Sequence, residues 1–373
     1  MLDGGAARRR IAVWGDVLRP VDSEFRASQS GNIHWFHRLV QRPVARATGL
    51  PVEPVTWGDG TDTPGVYAAA GMDPGIEGWI RLFDAPDLPA DAAHLLLDGV
   101  ADCALVIGFE LAEVQKTLLS WAGIPYIDFN IHPYRFGPDV FFAVDTNHAG
   151  VLERLRARHA EDWTFEPWAD LLLAQAVKMP PPEPVEETCL IVGQTRVDRS
   201  LIAGGRLLDF SAFGPALRDA VGKDGSVLFR PHPYNPGSFG LHEAGLPHRR
   251  IRPTRVNVYV LLAQPALRQV VAVSSSVVAE APFFGKQGVF LHASPFRIPP
   301  TRDAMGPRSH ASLVEGFMEA DFWRDLLAPL LPVTAADGRR VALPPNTLRT
   351  ALRQFWGFNE VSTDFLVDIA QRR

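Results

Sequence analysis

Short apolar runs, each closed by a glycine or by polar residues, recur along the chain and alternate with longer stretches of helical spacing. The first predicts a strand at Ile11–Trp14 ending in Gly15-Asp16. A helix over Asn32–Ala47 follows, with Ile33, Phe36, Leu39, Val40 and Val44 at helical intervals. A second strand, Cys103–Ile107, runs into Gly108-Phe109-Glu110. Next come a helix over Leu111–Ala122, stopped by Gly123, and a strand at Pro125–Phe129 with Asp128, Asn130 and His132 near or beyond its end. The proline- and glycine-rich stretch Gly58–Gly78 reads as loop, and Val151–Val177 as mainly helical. Pro180, Pro181, Pro182 and Pro184 cannot continue a helix and predict a semi-rigid linker.

The same rhythm resumes beyond the linker. Strand Cys189–Val192 breaks at Gly193, a helix lies near Phe210–Val221, and strand Ser226–Phe229 delivers Arg230-Pro231-His232-Pro233. A helix near Val256–Ala263 precedes strand Val270–Val273, which delivers Ser274-Ser275-Ser276. A further helix from Val277 carries Glu280, stops by Gly285 and leads to strand Gly288–Leu291. From Ser312 onward the pattern is mostly helical, apart from a loop at Val333–Pro345. Alternation of this kind builds parallel sheets wrapped by helices, which take their ligands at the carboxyl ends of the strands. The predicted fold class is therefore α/β. One domain covers residues 1–179, a linker 180–187 and a second domain 188–373, whose last helices are allowed to pack back on the first.

The polar residues at these strand ends are the candidate chemistry. Gln194, Asp198 and Ser200 leave the end of the Cys189–Val192 run, at the mouth of an interdomain cleft. The hydroxyls of Ser274, Ser275 and Ser276 and the N–H groups of a helix start suit an anion, although a plain serine N-cap leaves the same tripeptide. His232, held between prolines, suits donation of a hydrogen bond or proton to an anionic leaving group, and Arg230 adds a fixed positive charge. Asp198 and Glu110 are the leading carboxylates, fitting a nucleophile and a group that deprotonates an acceptor. Glu110 also fits a helix N-terminal carboxylate. His34 and His37 share a helix face without a third ligand nearby, and Gly204-Gly205 is too short for a phosphate loop.

Composition narrows the class. With 373 residues, 46% hydrophobic and 21% charged, the chain is long enough for two cores. A net charge of −5 argues against a nucleic-acid binder. Arginines cluster only locally, at Arg8–Arg10 and at Arg249, Arg250, Arg252 and Arg255. The two cysteines, Cys103 and Cys189, sit in apolar runs and predict buried free thiols in a reducing compartment. No signal-peptide core and no bilayer-spanning run is visible, so the expectation is a cytoplasmic protein with no transmembrane segment.

Three motifs, G-Q-x-x-x-D-x-S at Gly193–Ser200, R-P-H-P at Arg230–Pro233 and S-S-S-x-x-x-E-A at Ser274–Ala281 with Gly285-Lys286 after it, carry a resemblance. Together they resemble the retaining β-Kdo glycosyltransferases of bacterial capsule, O-antigen and lipopolysaccharide assembly, most strongly over residues 186–292. Gly108-Phe109-Glu110 and Ile131–Phe136 look like that group's acceptor-side motif. The resemblance implies a GT-B-like fold, two Rossmann-like domains with parallel sheets facing a central cleft, and transfer of 3-deoxy-D-manno-oct-2-ulosonic acid (Kdo) from CMP-Kdo. It implies that Asp198 attacks the anomeric carbon, that His232 assists CMP, and that Glu110 with His132 handles the acceptor proton.

By the same analogy Gln194, Ser200, Arg230, Ser274, Ser275, Ser276 and Glu280 are donor-binding, and Asp128, His132 and Arg135 lie on the acceptor side. No metal or other cofactor is implied. The implied partners are the nucleotide sugar and a glycan acceptor, lipid-linked or free, with peripheral contact at the inner face of the inner membrane left open. The chain departs from the group in having Arg230 where a lysine is usual and Val197 where a second acid often stands. An inverting CMP-sialic acid transferase, a non-catalytic glycan-binding protein on this fold, and a nucleotide-sugar epimerase or hydrolase are the competing readings.

Overall fold

The computed structural model describes residues 10–20, 29–179, 185–222, 226–232, 235 and 237–353. Most of the expected proline linker and Pro233 lie outside the described residues. Every residue of the strand Cys103–Phe109 is buried, which is why its run is apolar without a break. It lies inside a six-stranded sheet, between Tyr126–Ile131 on one side and Arg10–Gly15 on the other. Those three strands and the edge strand Val52–Pro54 are parallel.

On the opposite flank the sheet is antiparallel, which corrects the all-parallel expectation. Phe142–Thr146 pairs antiparallel with Tyr126–Ile131, and Ala311–Leu313 pairs antiparallel with Phe142–Thr146. The last of these strands comes from the far end of the chain, where the sequence pattern predicts helix. Next to it in sequence, the helix Ala320–Leu327 buries Phe322, Trp323, Leu326 and Leu327 in the core of this first sheet.

Five parallel strands make the second sheet, in the order Ile251–Pro253, Val227–Arg230, Cys189–Val192, Gln269–Ala272, Gln287–Phe290. The helix that begins at Ser276 ends, with its following 3-10 turn, at Gly285, whose φ of +67° is the left-handed cap a glycine supplies most cheaply. Cys103 and Cys189 are free and buried, and burial pushes both thiols up to about 12.

Two cores on either side of the second sheet are separate from the first, and one of them crosses between the halves. It joins Tyr134, Phe136, Phe141 and Phe165 to Val192, Val278, Phe284 and the helix Val258–Leu262. The helix Glu166–Ala176 belongs to this core through Ala169, Leu172 and Ala176. The stretch read as loop between Gly58 and Gly78 instead contains the helix Thr63–Ala69 and the start of Ile76–Phe83. Asp62 caps the first by accepting from Gly65 N at 3.0 Å, and a proline stands in its opening turn. No described helix is long and apolar enough to cross a membrane.

Candidate active site

The end of strand Cys189–Val192 is fixed by its neighbours before any side chain is considered. Gly193 N donates to Arg230 O at 2.9 Å, and a Cβ on Gly193 would stand only 3.3 Å from His232 N. Gln194 follows and is buried. Its side chain joins two loops: Nε2 donates to Ser274 Oγ at 3.1 Å and Ser200 Oγ at 3.3 Å, while Oε1 accepts from Ser274 N at 2.9 Å. Ser274 Oγ lies 3.0 Å from Ser200 Oγ, and Ser200 donates to Asp198 Oδ1 through both its backbone N and its hydroxyl, at 2.9 Å each.

A row of hydrogen bonds therefore runs from Gln194 through two serines to one oxygen of Asp198. That carboxylate caps the 3-10 turn Arg199–Leu201 through Oδ1 and is half-buried. Arg230 is anchored by donation of Nε to Val256 O at 3.0 Å. His232 bridges to Asn235, whose side chain in turn donates to Gln194 O at 3.1 Å. Ser275 and Ser276 are half-buried at the start of a helix of five residues, too short for a dipole argument.

Across from this loop stands the end of Cys103–Phe109. Glu110 takes a φ of +56°, a left-handed conformation that costs a non-glycine residue roughly 1–2 kcal/mol. Its N–H is held by Phe129 O at 3.0 Å. Burial pulls the Arg135 guanidinium down in proton affinity, and the charges of Glu110, Glu280 and Asp198 act against that. The loop carboxylate of one sheet and the strand-end carboxylate of the other thus bear on one buried cation.

Other residues singled out in the sequence have partners of a different kind. Asp128 is fully buried, accepting from Leu111 N at 3.1 Å and Asn130 Nδ2 at 3.0 Å, and burial raises its carboxyl, with Asp145 adding to the effect. His132 is buried and stacked on Phe165; Nδ1 accepts from Tyr134 N at 3.1 Å and Nε2 lies 2.8 Å from Ser312 Oγ. An acceptor Nδ1 requires the neutral ring, and burial holds its proton affinity well below the ordinary histidine value. Glu280, also fully buried, accepts from Tyr259 Oη at 3.2 Å and from Arg135 N. All three side chains, expected on the acceptor side (Asp128, His132) or at the donor (Glu280), are buried and bonded to other groups of the protein. His37 is likewise buried, bonded through Nε2 to Val52 O at 3.0 Å.

Sequence reasoning passed over Arg199, although it stands between Asp198 and Ser200. Its Nη2 donates to Asn130 Oδ1 at 2.6 Å, and its buried Nη1 has no hydrogen-bond partner among the described residues. Burial works against its charge, but Glu110, Asp128, Glu113 and Asp16 outweigh that and raise its proton affinity. Asp16 was also missed: buried beyond the first strand, it accepts from Trp79 Nε1 at 2.8 Å, and burial raises it. Gly204-Gly205 is the turn of a hairpin between Ile202–Ala203 and Arg206–Leu207, with φ of +57° and +68°. Both its N–H groups donate to the Asp84 carboxylate, at 2.6 and 3.0 Å.

No protein-family model and no curated protein matches the sequence. Among solved structures, the chain is similar to two from Thermosulfurimonas dismutans. One is described as KpsC, beta Kdo 2,7 transferase, at 11% identity and a TM-score of 0.36, covering 87% of this chain and 90% of that one. The other is described as KpsC, beta Kdo 2,4 transferase, at 16% identity and a TM-score of 0.34, covering 60% of this chain and 79% of that one.

Proposed function

We propose that this chain is a retaining glycosyltransferase of GT-B arrangement that moves Kdo from CMP-Kdo to a hydroxyl of a bacterial surface glycan. The observation that carries the reading is the junction of the two loops: Arg199, next to Asp198, donates to Asn130 Oδ1 at 2.6 Å, and Asp128, bonded to Asn130, accepts from Leu111 N, next to Glu110, at 3.1 Å. Two carboxylates carried on adjoining loops of different sheets suit the nucleophile and the base of a double displacement. The motif resemblance supplies the donor.

In this mechanism Asp198 Oδ2 attacks the anomeric carbon while Oδ1 stays bonded to Ser200. The bond from that carbon to the CMP phosphate oxygen breaks, and its electron pair leaves with CMP, met by His232 and Arg230. Glu110 then takes the proton of the acceptor hydroxyl, whose oxygen displaces Asp198. Two inversions retain configuration. His132, neutral with Nδ1 engaged, takes no part in proton transfer here and braces the acceptor side. Gln194 and Ser274 hold the nucleophile through Ser200. Ser275 and Ser276 remain as donor contacts.

Mass spectrometry of the intact protein after incubation with CMP-Kdo and no acceptor tests this. The expected result is a gain of one Kdo residue that maps to Asp198 and is absent from Asp198→Asn. Failure of the wild-type protein to release CMP would sink the Kdo assignment. An inverted anomeric configuration in the transfer product would sink the double displacement.

A further inference from the structure

The loop that bears Asp198 and the turn that bears Glu110 are joined by one continuous row of side-chain hydrogen bonds. It starts at Arg199, the residue after Asp198, whose Nη2 donates to Asn130 Oδ1 at 2.6 Å. Asn130 Nδ2 donates to Asp128 Oδ2 at 3.0 Å, and Asp128 Oδ1 accepts from Leu111 N at 3.1 Å, the residue after Glu110. Asn130 and Asp128 are both buried. Nη1 of Arg199 has no partner among the described residues, so the crossing from one half to the other hangs on a single bond in this row.

Two features give the row a purpose beyond holding the chain together. Glu110 sits in a left-handed conformation that persists only where its surroundings over-determine it, and the bond from Leu111 N to Asp128 lies on the peptide that follows it. A buried polar relay is also a poor way to obtain stability, because well-packed apolar residues of the same volume do at least as well. What such a relay supplies is a defined geometry, here between two carboxylates on different halves. Among the charges acting on Arg199, that of Glu110 does most to favour the charged guanidinium.

We infer that Arg199 is a positioning residue that couples the Asp198 loop to the Glu110 turn through Asn130 and Asp128, so that the acceptor base is aligned only when the donor-side loop is in place. The inference rests on the assignment of Asp198 and Glu110 to the two chemical steps. Its consequence is specificity for transfer over hydrolysis: a misaligned Glu110 deprotonates a bound acceptor poorly, whereas water reaches the glycosyl-enzyme from more directions.

The test uses the full chain with Arg199→Met, Arg199→Lys and Asn130→Ala, the last of which breaks the relay and leaves the arginine charge. Hydrogen exchange at the Leu111 amide is expected to rise about tenfold or more in Arg199→Met and Asn130→Ala, with the buried strand amide of Ile107 unchanged. The ratio of Kdo transfer to CMP-Kdo hydrolysis is expected to fall about tenfold in all three variants. Added guanidinium should restore part of it in Arg199→Met and none in Asn130→Ala. Unchanged exchange at Leu111 in both variants overturns the coupling. Equal loss of transfer and hydrolysis, with Ile107 exchanging as fast as Leu111, also overturns it, because that is general loosening. Failure of the underlying reading has a different signature: wild-type protein releases no CMP, while the Leu111 comparison still decides whether the two halves are coupled.

Discussion

Glu280 separates the two uses a strand-end acid can have. The sequence shows an acid one turn into the helix after Ser274-Ser275-Ser276, which fits a donor ligand, but the carboxylate is fully buried between Tyr259 Oη and Arg135 N. Glu280→Ala would strand a buried hydroxyl and a buried N–H, at about 1–3 kcal/mol each. The expected outcome is a loss of about 3 kcal/mol or more in urea unfolding, with a smaller loss for Glu280→Gln, which keeps an acceptor oxygen. A stable Glu280→Ala protein with a raised KM for donor would restore the donor-binding role. Gln194, Asp198 and Ser200 were legible because a buried strand followed by a glycine announces where the next polar side chains emerge. The burial of Asp128, His132 and Glu280 was not legible, because sequence gives a residue's place along an element and not the partners that close around it. Arg199 was overlooked because a charged loop residue between polar neighbours reads as solvated.

Elements made by contacts distant in sequence were the hardest to foresee. The buried parallel strands announce themselves, whereas Ala311–Leu313 is a strand because it pairs with Phe142–Thr146, more than 160 residues earlier, which itself lies beside Tyr126–Ile131. Helix Thr63–Ala69 was hidden by the glycine and proline density around it, although Asp62 and the proline in its first turn are start signals. The returning strand is pinned by histidines. His159 Nδ1 accepts from Ser312 N at 2.9 Å, and its Nε2 lies 2.9 Å from Pro299 O. His310 Nδ1 accepts from Arg297 N at 3.2 Å, and His132 lies against Ser312.

Burial lowers the proton affinity of all three rings, most definitely for His310, which falls to about 4. Asp145 and Glu113 favour its charged form, while Lys116 and Arg199 oppose it. Arg135 and the other two histidines oppose a charge on His132; around His159, Glu161 favours the charge and Arg302 opposes it. Above the ordinary histidine value of 6.5 the rings are neutral folded or unfolded, and their contribution is whole. Below it the unfolded chain takes up protons that the folded rings refuse, so stability falls with pH until the folded rings titrate. For His310 that window closes near pH 4 and the loss reaches roughly 3 kcal/mol. His310→Asn, whose Oδ1 can replace the Nδ1 acceptor, should flatten the curve of unfolding free energy against pH between 6.5 and 4. An unaltered slope would remove His310 from the account.

At the scale of the whole molecule the two halves are held differently on different sides. The aromatic core that joins Tyr134, Phe136 and Phe165 to Phe284 and Val278 is buried and continuous, and its parting would expose large apolar area. Around the Asp198 loop the contacts are chiefly polar: Arg199 to Asn130, Arg19 Nη2 to Val197 O at 3.3 Å, and the Gly204-Gly205 turn on Asp84, with Ile202 as a buried apolar member. Opening, where it occurs, is expected on the polar side and about the aromatic core. Only glycine tolerates both φ values of that turn cheaply, and the left-handed pair points two adjacent N–H groups at one carboxylate. Partial exposure limits the pair of bonds to about 1 kcal/mol in total, enough to change the open population several-fold without unfolding either half. Asp84→Ala, with spin labels at the exposed positions of Glu77 and Arg206, should therefore add a longer component to the label distance while the urea midpoint moves little. A distance distribution identical to that of the wild-type protein would mean that Ile202 and the Arg199 relay close this side unaided, and that the hairpin is not a latch.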